Sequence, residues 1–154
     1  MHRNSQRVQE ALRAAGLETE VIDVPDGTRT AQEAADALGT TVGQIAKSIV
    51  FTQGDSGVVV VASGTNRVSE AKVSALTEAP VGRADADAVR RLTGFPIGGV
   101  PPLAHSTDVT VLIDEDLLAF EEVWAAAGTP NAVFRTTGKE LHEATGARVA
   151  DIKA

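Results

Sequence analysis

The sequence predicts a mixed α/β domain whose centre is a largely antiparallel, barrel-like sheet surrounded by helices. Three observations predict it. Helical periodicity and strand-like runs alternate along the chain, with no internal repeat or low-complexity tract. Ser48-Ile49-Val50-Phe51-Thr52 and Val58-Val59-Val60-Val61-Ala62 flank Gly54-Asp55-Ser56-Gly57, the pattern of a hairpin and hence of antiparallel pairing. The second run is apolar on both faces, as a covered central strand must be. The chain has 154 residues, a length at which about 68% of the unfolded surface is buried. One domain over residues 1–154 with one real core is therefore expected, and two full domains do not fit.

The elements follow in order. Ser5 is placed to cap a first helix with Val8, Leu12 and Ala15 on one stripe, closed by Gly16. Val21 to Val24 reads as a short strand, stopped by Pro25-Asp26-Gly27. Thr30 and Glu33 have capping-box spacing, and Gly39 ends that helix. Thr41 and Gln44 repeat the signal for a shorter one. After the hairpin, Ser69 starts a helix through Lys72 and Leu76, and Asp85 starts another through Leu92, ended by Gly94. Residues 93–103 carry three prolines and three glycines, too few amide donors and too little stiffness for helix or strand. Val109 to Ile113 reads as a strand and Asp114 to Leu118 as a turn or cap. Propensity alone makes Glu121 to Ala127 a helix. Val133 to Arg135 is a strand, and Thr137 with Glu140 opens a last helix closed by Gly146.

Composition removes several function classes. Cysteine is absent, which excludes disulfides, zinc-thiolate sites and a cysteine nucleophile. His2, His105 and His142 are too scattered for a metal cage, and no cofactor is expected. Aromatics are 3% of the chain, which weighs against a stacking platform for single-stranded nucleic acid. With 14 basic and 21 acidic residues the net charge is −7, so nonspecific attraction to phosphate backbones, DNA included, is disfavoured. There is no 18-residue apolar run for a membrane span, and the opening Met-His-Arg-Asn-Ser-Gln-Arg lacks the apolar core of a secretory signal. A soluble cytoplasmic protein is expected.

Four features carry chemistry. Lys47 stands where an apolar strand begins, a cation on a rigid element. In the segment from Gly98 to Pro102, glycines let a ligand approach the backbone and prolines freeze it. The amides of Gly98, Gly99 and Val100 are able to donate to a carbonyl or developing oxyanion, whereas Pro101 and Pro102 have none. His105 is a base only if another group orients it. Arg67, after Gly64-Thr65-Asn66, suits a phosphate or carboxylate through its bidentate guanidinium. The P-loop and the Gly-x-Ser-x-Gly elbow are both missing. Each feature also has a bland reading: a solvated lysine, a tight connection, a structural histidine and an exposed arginine.

Taken together, Ala46-Lys47-Ser48-Ile49-Val50-Phe51, Gly64-Thr65-Asn66-Arg67-Val68-Ser69, Thr93-Gly94-Phe95-Pro96-Ile97-Gly98-Gly99-Val100-Pro101-Pro102-Leu103 and Val111-Leu112-Ile113-Asp114, in that order, resemble the YbaK/ProX family of aminoacyl-tRNA deacylases. This family is related to the editing domain inserted in bacterial prolyl-tRNA synthetases, and the resemblance covers nearly the whole chain. It implies hydrolysis of the ester joining a wrong amino acid to the 3′-terminal adenosine of a tRNA, with assistance from the ribose 2′-hydroxyl. It implies that Lys47 is the essential lysine and that Gly98 to Pro102 is the substrate-gripping loop. Gly98 and Gly99 then steady the oxyanion. Ser48, Arg67, Thr93, Gly94, Val100, Pro101, Pro102 and His105 fall among the substrate contacts. It also replaces the propensity helix by a strand over Glu122 to Gly128. The partners implied are the tRNA acceptor end, met by Arg67, Lys72, Arg83, Arg90 and Arg91, and a prolyl-tRNA synthetase or elongation factor that delivers it. The same motifs would serve a noncatalytic relative that binds aminoacyl or nucleotide ends.

Overall fold

The computed structural model describes residues 1–154 except Gly27 and Arg29. Among the described residues five α-helices are seen: α1 (Arg3–Ala14), α2 (Ala31–Leu38), α3 (Glu70–Thr77), α4 (Ala86–Thr93) and α5 (Gly138–Thr145). Eight strands form one sheet: β1 (Ile22–Asp23), β2 (Ile45–Gln53), β3 (Ser56–Ser63), β4 (Gly82–Arg83), β5 (Thr110–Asp114), β6 (Val123–Ala126), β7 (Ala132–Thr136) and β8 (Arg148–Ala150). Its order is β1-β7-β6-β2-β3-β5-β8, with β4 also on β2. Pairing is antiparallel for β1–β7, β2–β3, β2–β4 and β6–β7, and parallel for β2–β6, β3–β5 and β5–β8. The mixed α/β class holds, with parallel pairing a larger share than the hairpin alone foretells. The turn residue Gly27 lies outside the described residues.

Local chemistry explains most boundaries. Thr30 and Glu33 form the full capping box at α2, and the side chains of Ser69, Asp85 and Thr137 cap α3, α4 and α5. Ser5 is a correction. The N-cap of α1 is His2, whose ring nitrogen accepts from the Asn4 amide. Ser5 is buried inside the helix and donates from Oγ to the Ala127 carbonyl at 2.9 Å. Ala15 is likewise off the buried stripe, which runs through Val8 and Leu12. Glu121 to Ala127 is not a helix: β6 occupies its centre, as the family resemblance implies, because pairing to β7 and β2 outweighs a weak propensity.

The strand alternation of β2 and β3 divides the interior. Ala46, Val50, Val59 and Val61 meet α1, α4 and α5 in the larger core. Phe51, Val58, Val60 and Ala62 meet Val73 of α3 and Ile152 in a smaller one, with Ile49 packed on it. Lys47 therefore shares a sheet face with Ile49 and Phe51. At the end of β5, the buried Asp114 carboxylate accepts from the Ser63 amide (3.0 Å), Asn66 Nδ2 (2.7 Å) and the Asp116 amide (2.9 Å). It fixes the turns that follow β3 and β5. Among the described residues no helix is long and apolar enough to cross a membrane.

Asp114→Ala leaves three donors without their acceptor. It is expected to lower the unfolding free energy by about 3 kcal/mol or more, whereas Asp116→Ala, at an exposed ion pair with Lys153, costs under about 1 kcal/mol. Urea denaturation of both variants checks the contrast, and equal losses would contradict it.

Candidate functional site

β2 positions the site because its outer edge is covered only at its ends. Along one edge it pairs with β3 over Ala46 to Gln53. On the other edge β6 covers Ile45 and Ala46, and β4 covers Phe51 and Thr52. The Ala84 amide extends that cover to the Val50 carbonyl, at 3.1 Å. Lys47, Ser48 and Ile49 are left without a strand neighbour there. A cleft of about 300 Å³ opens at this gap.

Its floor is the sheet face carrying Ile45, Lys47 and Ile49 of β2, Trp124 and Ala126 of β6 and Val133 of β7. One wall is Ala31, Ala34 and Leu38 of α2, and the rim is Ile97, Gly98, Val100 and Pro130. Lys47 is the only titratable side chain among the described lining residues. Its ammonium has no hydrogen bond or ion pair to a described residue. Burial pushes its pKa below the usual lysine value, and the nearby Arg83 cation pushes the same way, while the Asp114 carboxylate partly offsets both. Trp124 is held in place by its indole N–H, which donates to Glu122 at 3.0 Å; that bond, with Arg135 at 3.3 Å from the same carboxylate, lowers the Glu122 pKa.

The structure brings Lys47, Ser48, Gly98 and Val100 to one cleft. Gly98 has φ +85°, a conformation that favours glycine, with Pro130 beside it at ordinary contact distance, and its amide has no acceptor among the described residues. The Val100 amide is equally unengaged. Gly99 does not join them. Its amide donates to the Pro96 carbonyl at 2.9 Å, and its α-carbon lies so close to Thr129 that an added Cβ would sit 2.9 Å from backbone atoms. The donor pair expected at Gly98 and Gly99 is thus available at Gly98 and Val100 instead.

The other expected contacts lie behind the loop or away from it. Pro101 and Pro102 are buried, and His105 donates from Nε2 to the Pro101 carbonyl at 2.8 Å. Burial lowers the His105 pKa against that carbonyl, and the ring braces the loop from outside the residues that line the cleft. Thr93 is buried, with its hydroxyl donating to the Val89 carbonyl and accepting from the Phe95 amide; Gly94 closes α4. Arg67 is exposed outside the cleft, and the adjacent Asn66 serves Asp114 and Asp116. Of the basic residues grouped in sequence, Arg83 lies near Lys47, while Lys72 is paired to Asp151 at 2.8 Å. The α2 wall and Trp124 had no chemical signal in the sequence, since small apolar residues at helical spacing look like any core helix.

Comparisons with known proteins give the chain a family. The profile of the family described as "Aminoacyl-tRNA editing domain" matches residues 25–144. The Bacillus subtilis protein YwhH is 30% identical over 86% of this chain and 85% of its own length. The proline–tRNA ligase of Kosmotoga olearia is 31% identical over 62% of this chain, which corresponds to 16% of that longer enzyme. A crystal structure described as a candidate trans-editing enzyme for prolyl tRNA synthetase superimposes with a TM-score of 0.95 at 48% identity, covering 100% of this chain and 99% of the other.

Gly99→Ala is expected to lower the melting temperature by several degrees, because the Thr129 backbone cannot yield to a Cβ. Thermal unfolding checks this, and an unchanged midpoint would show that the loop is not braced there.

Proposed function

Because the chain belongs to the aminoacyl-tRNA editing domain family, we propose that it acts in trans as a deacylase, hydrolysing the ester of a small amino acid mischarged on a prolyl tRNA. The observation that carries this reading is the shared cleft: Lys47, Gly98 and Val100 line one hollow, and the Gly98 and Val100 amides have no acceptor among the described residues. Relatives that are proline–tRNA ligases, and a neighbour described as a trans-editing enzyme, support the prolyl assignment.

An aminoacyl ester is already activated, so no enzyme nucleophile is required. Water adds to the ester carbonyl, the bond to the ribose oxygen breaks, that oxygen leaves with a proton, and free amino acid and tRNA separate. The amides of Gly98 and Val100 steady the oxyanion; a donor of this kind lowers the barrier by about 2.7–4 kcal/mol. Lys47 holds the 3′-terminal nucleotide through its phosphate and so orients the ester. With no carboxylate or imidazole among the described lining residues, proton transfer falls to water and the ribose 2′-hydroxyl. The Ala31 and Ala34 wall and the Ala126 floor suit a small side chain, although one methylene discriminates by only about 1–3 kcal/mol. The acidic net charge of −7 fits modest, salt-sensitive tRNA binding in the cytoplasm, with a synthetase or elongation factor supplying substrate.

Amino acid release from a panel of mischarged prolyl tRNAs tests this reading. Wild type is expected to clear alanyl, seryl or cysteinyl esters. Lys47→Ala should lose at least about 100-fold in rate, equivalent to 2.7 kcal/mol, with its melting temperature within about 3 °C of wild type. Wild-type turnover in a folded Lys47→Ala protein would refute the role of Lys47, and no release from any member would leave a binding module.

The pH dependence has a definite sign. Lys47 acts as a cation, so binding of a non-hydrolysable 3′-terminal analogue weakens as pH rises through its lowered pKa. Arg83→Gln removes a repelling charge, raises that pKa and moves the loss of binding to higher pH. A shift to lower pH, or none, would contradict the electrostatic account.

A further inference from the structure

The bare stretch of β2 has a consequence for how the amino acid itself is held. In a strand, the N–H and C=O of one residue point to the same edge, and successive residues alternate. Two independent features set the phase here. The Val50 carbonyl accepts from Ala84 on the β4 side. The hairpin closes across Gln53 and Ser56 around a two-residue loop, which makes that pair the hydrogen-bonded kind. Both place the peptide groups of Lys47, Ile49, Phe51 and Gln53 toward β3, and those of Ala46, Ser48 and Val50 toward the other edge. Ala46 lies under β6 and Val50 is engaged by Ala84. Ser48 alone has both its N–H and its C=O on the uncovered edge, without a protein partner among the described residues, and it lines the cleft.

We infer that the aminoacyl group of the substrate docks on Ser48 as a one-residue β-strand, its α-ammonium donating to the Ser48 carbonyl and its ester carbonyl accepting from the Ser48 N–H, which shares that oxygen with the loop amides. This inference rests on the deacylase reading and adds a backbone recognition element to it. An aminoacyl ester carries a donor and an acceptor on either side of its Cα, as a strand residue does, so the match is the two-bond pair of an antiparallel ladder. The remaining lining supports the assignment. It holds no Asp or Glu among the described residues for an ammonium to meet. The Thr28 hydroxyl donates to the Pro25 carbonyl, and the Thr30 hydroxyl caps α2 at the Glu33 amide. By alternation the Ser48 side chain faces away from the sheet face that bears Lys47, so the backbone is the recognising part. The arrangement also explains why a central strand in a small domain leaves peptide groups bare: an open edge is otherwise a liability that proteins cover.

The test uses wild-type protein labelled with ¹⁵N and two non-hydrolysable probes, 3′-deoxy-3′-(alanylamino)adenosine and its propionylamino counterpart, which lacks only the ammonium. At saturation with the alanyl probe, the Ser48 amide resonance is expected to move and its hydrogen exchange to slow at least tenfold; the propionyl probe is expected to bind at least tenfold more weakly. Equal affinity for the two probes, or unchanged Ser48 exchange at saturation, overturns the inference. Ser48→Pro removes the edge N–H without touching the β3 ladder, a replacement open edges tolerate. It is expected to cut deacylation kcat/KM at least tenfold more than Ser48→Ala; a folded Ser48→Pro protein matching Ser48→Ala overturns the inference even where neither probe binds. Failure of the deacylase reading looks different: wild type itself releases no amino acid.

Discussion

The site depends on the ladder between β2 and β3. That pairing fixes which face each β2 side chain takes and which edge each peptide group takes. Once Gln53 and Ser56 are paired, Lys47 must stand on the face covered by α2 and α3, and the peptide groups of Ser48 must look outward. A slip of one residue would turn Lys47 into the larger core and bury an unpaired ammonium. The apolar run of β3, fully buried on both faces, makes such a slip costly.

Around this strand the protein combines rigid and open parts. Asp114 ties the ends of β3 and β5 through three hydrogen bonds. The Gly/Pro loop is braced from behind by His105 on Pro101, by the Gly99 amide on Pro96, and by Arg7 lying 4.6 Å over the buried Phe95 ring. Gly98 and Val100 line the cleft, and their amides have no acceptor among the described residues. A donor already fixed in place needs no reorganisation when charge develops, which is the physical value of a stiff loop at such a site. Lys47 meets the opposite condition: partial burial and a neighbouring arginine disfavour its charge, so an anionic ligand gains more from it than from a solvated lysine.

Much of this was legible in the sequence where the cause is local. The capping pairs at Thr30 and Thr137 and the glycines closing α2, α4 and α5 follow from side-chain reach and left-handed backbone, which neighbours in sequence determine. The hairpin and the covered β3 followed from alternation and apolar runs. Where tertiary contacts decide, local reading failed. Ser5 has the chemistry of a cap but is drawn inside to the Ala127 carbonyl. β4 and β8, at two and three residues, are too short to carry a period. Lys47 and Gly98 stand out in the sequence because their residue types are unusual in their settings, and both line the cleft. Gly99, Pro101, Pro102 and His105 were grouped with Gly98 by adjacency in sequence, and they are not among the residues that line the cleft. The alanines of α2 were missed because a ligand wall and a core stripe use the same residues.

The central claim is spatial: one cleft, between the bare edge of β2 and the braced loop, receives the acyl carbon of a charged tRNA end. The most direct measurement is a crystal structure of the protein with a non-hydrolysable 3′-aminoacylamino terminal nucleotide bearing its 5′-phosphate. The account predicts the phosphate at the Lys47 ammonium and the acyl oxygen within hydrogen-bond distance of the Gly98 or Val100 amide. A ligand seated on the outer surface near Arg67, with the cleft unoccupied, would contradict it.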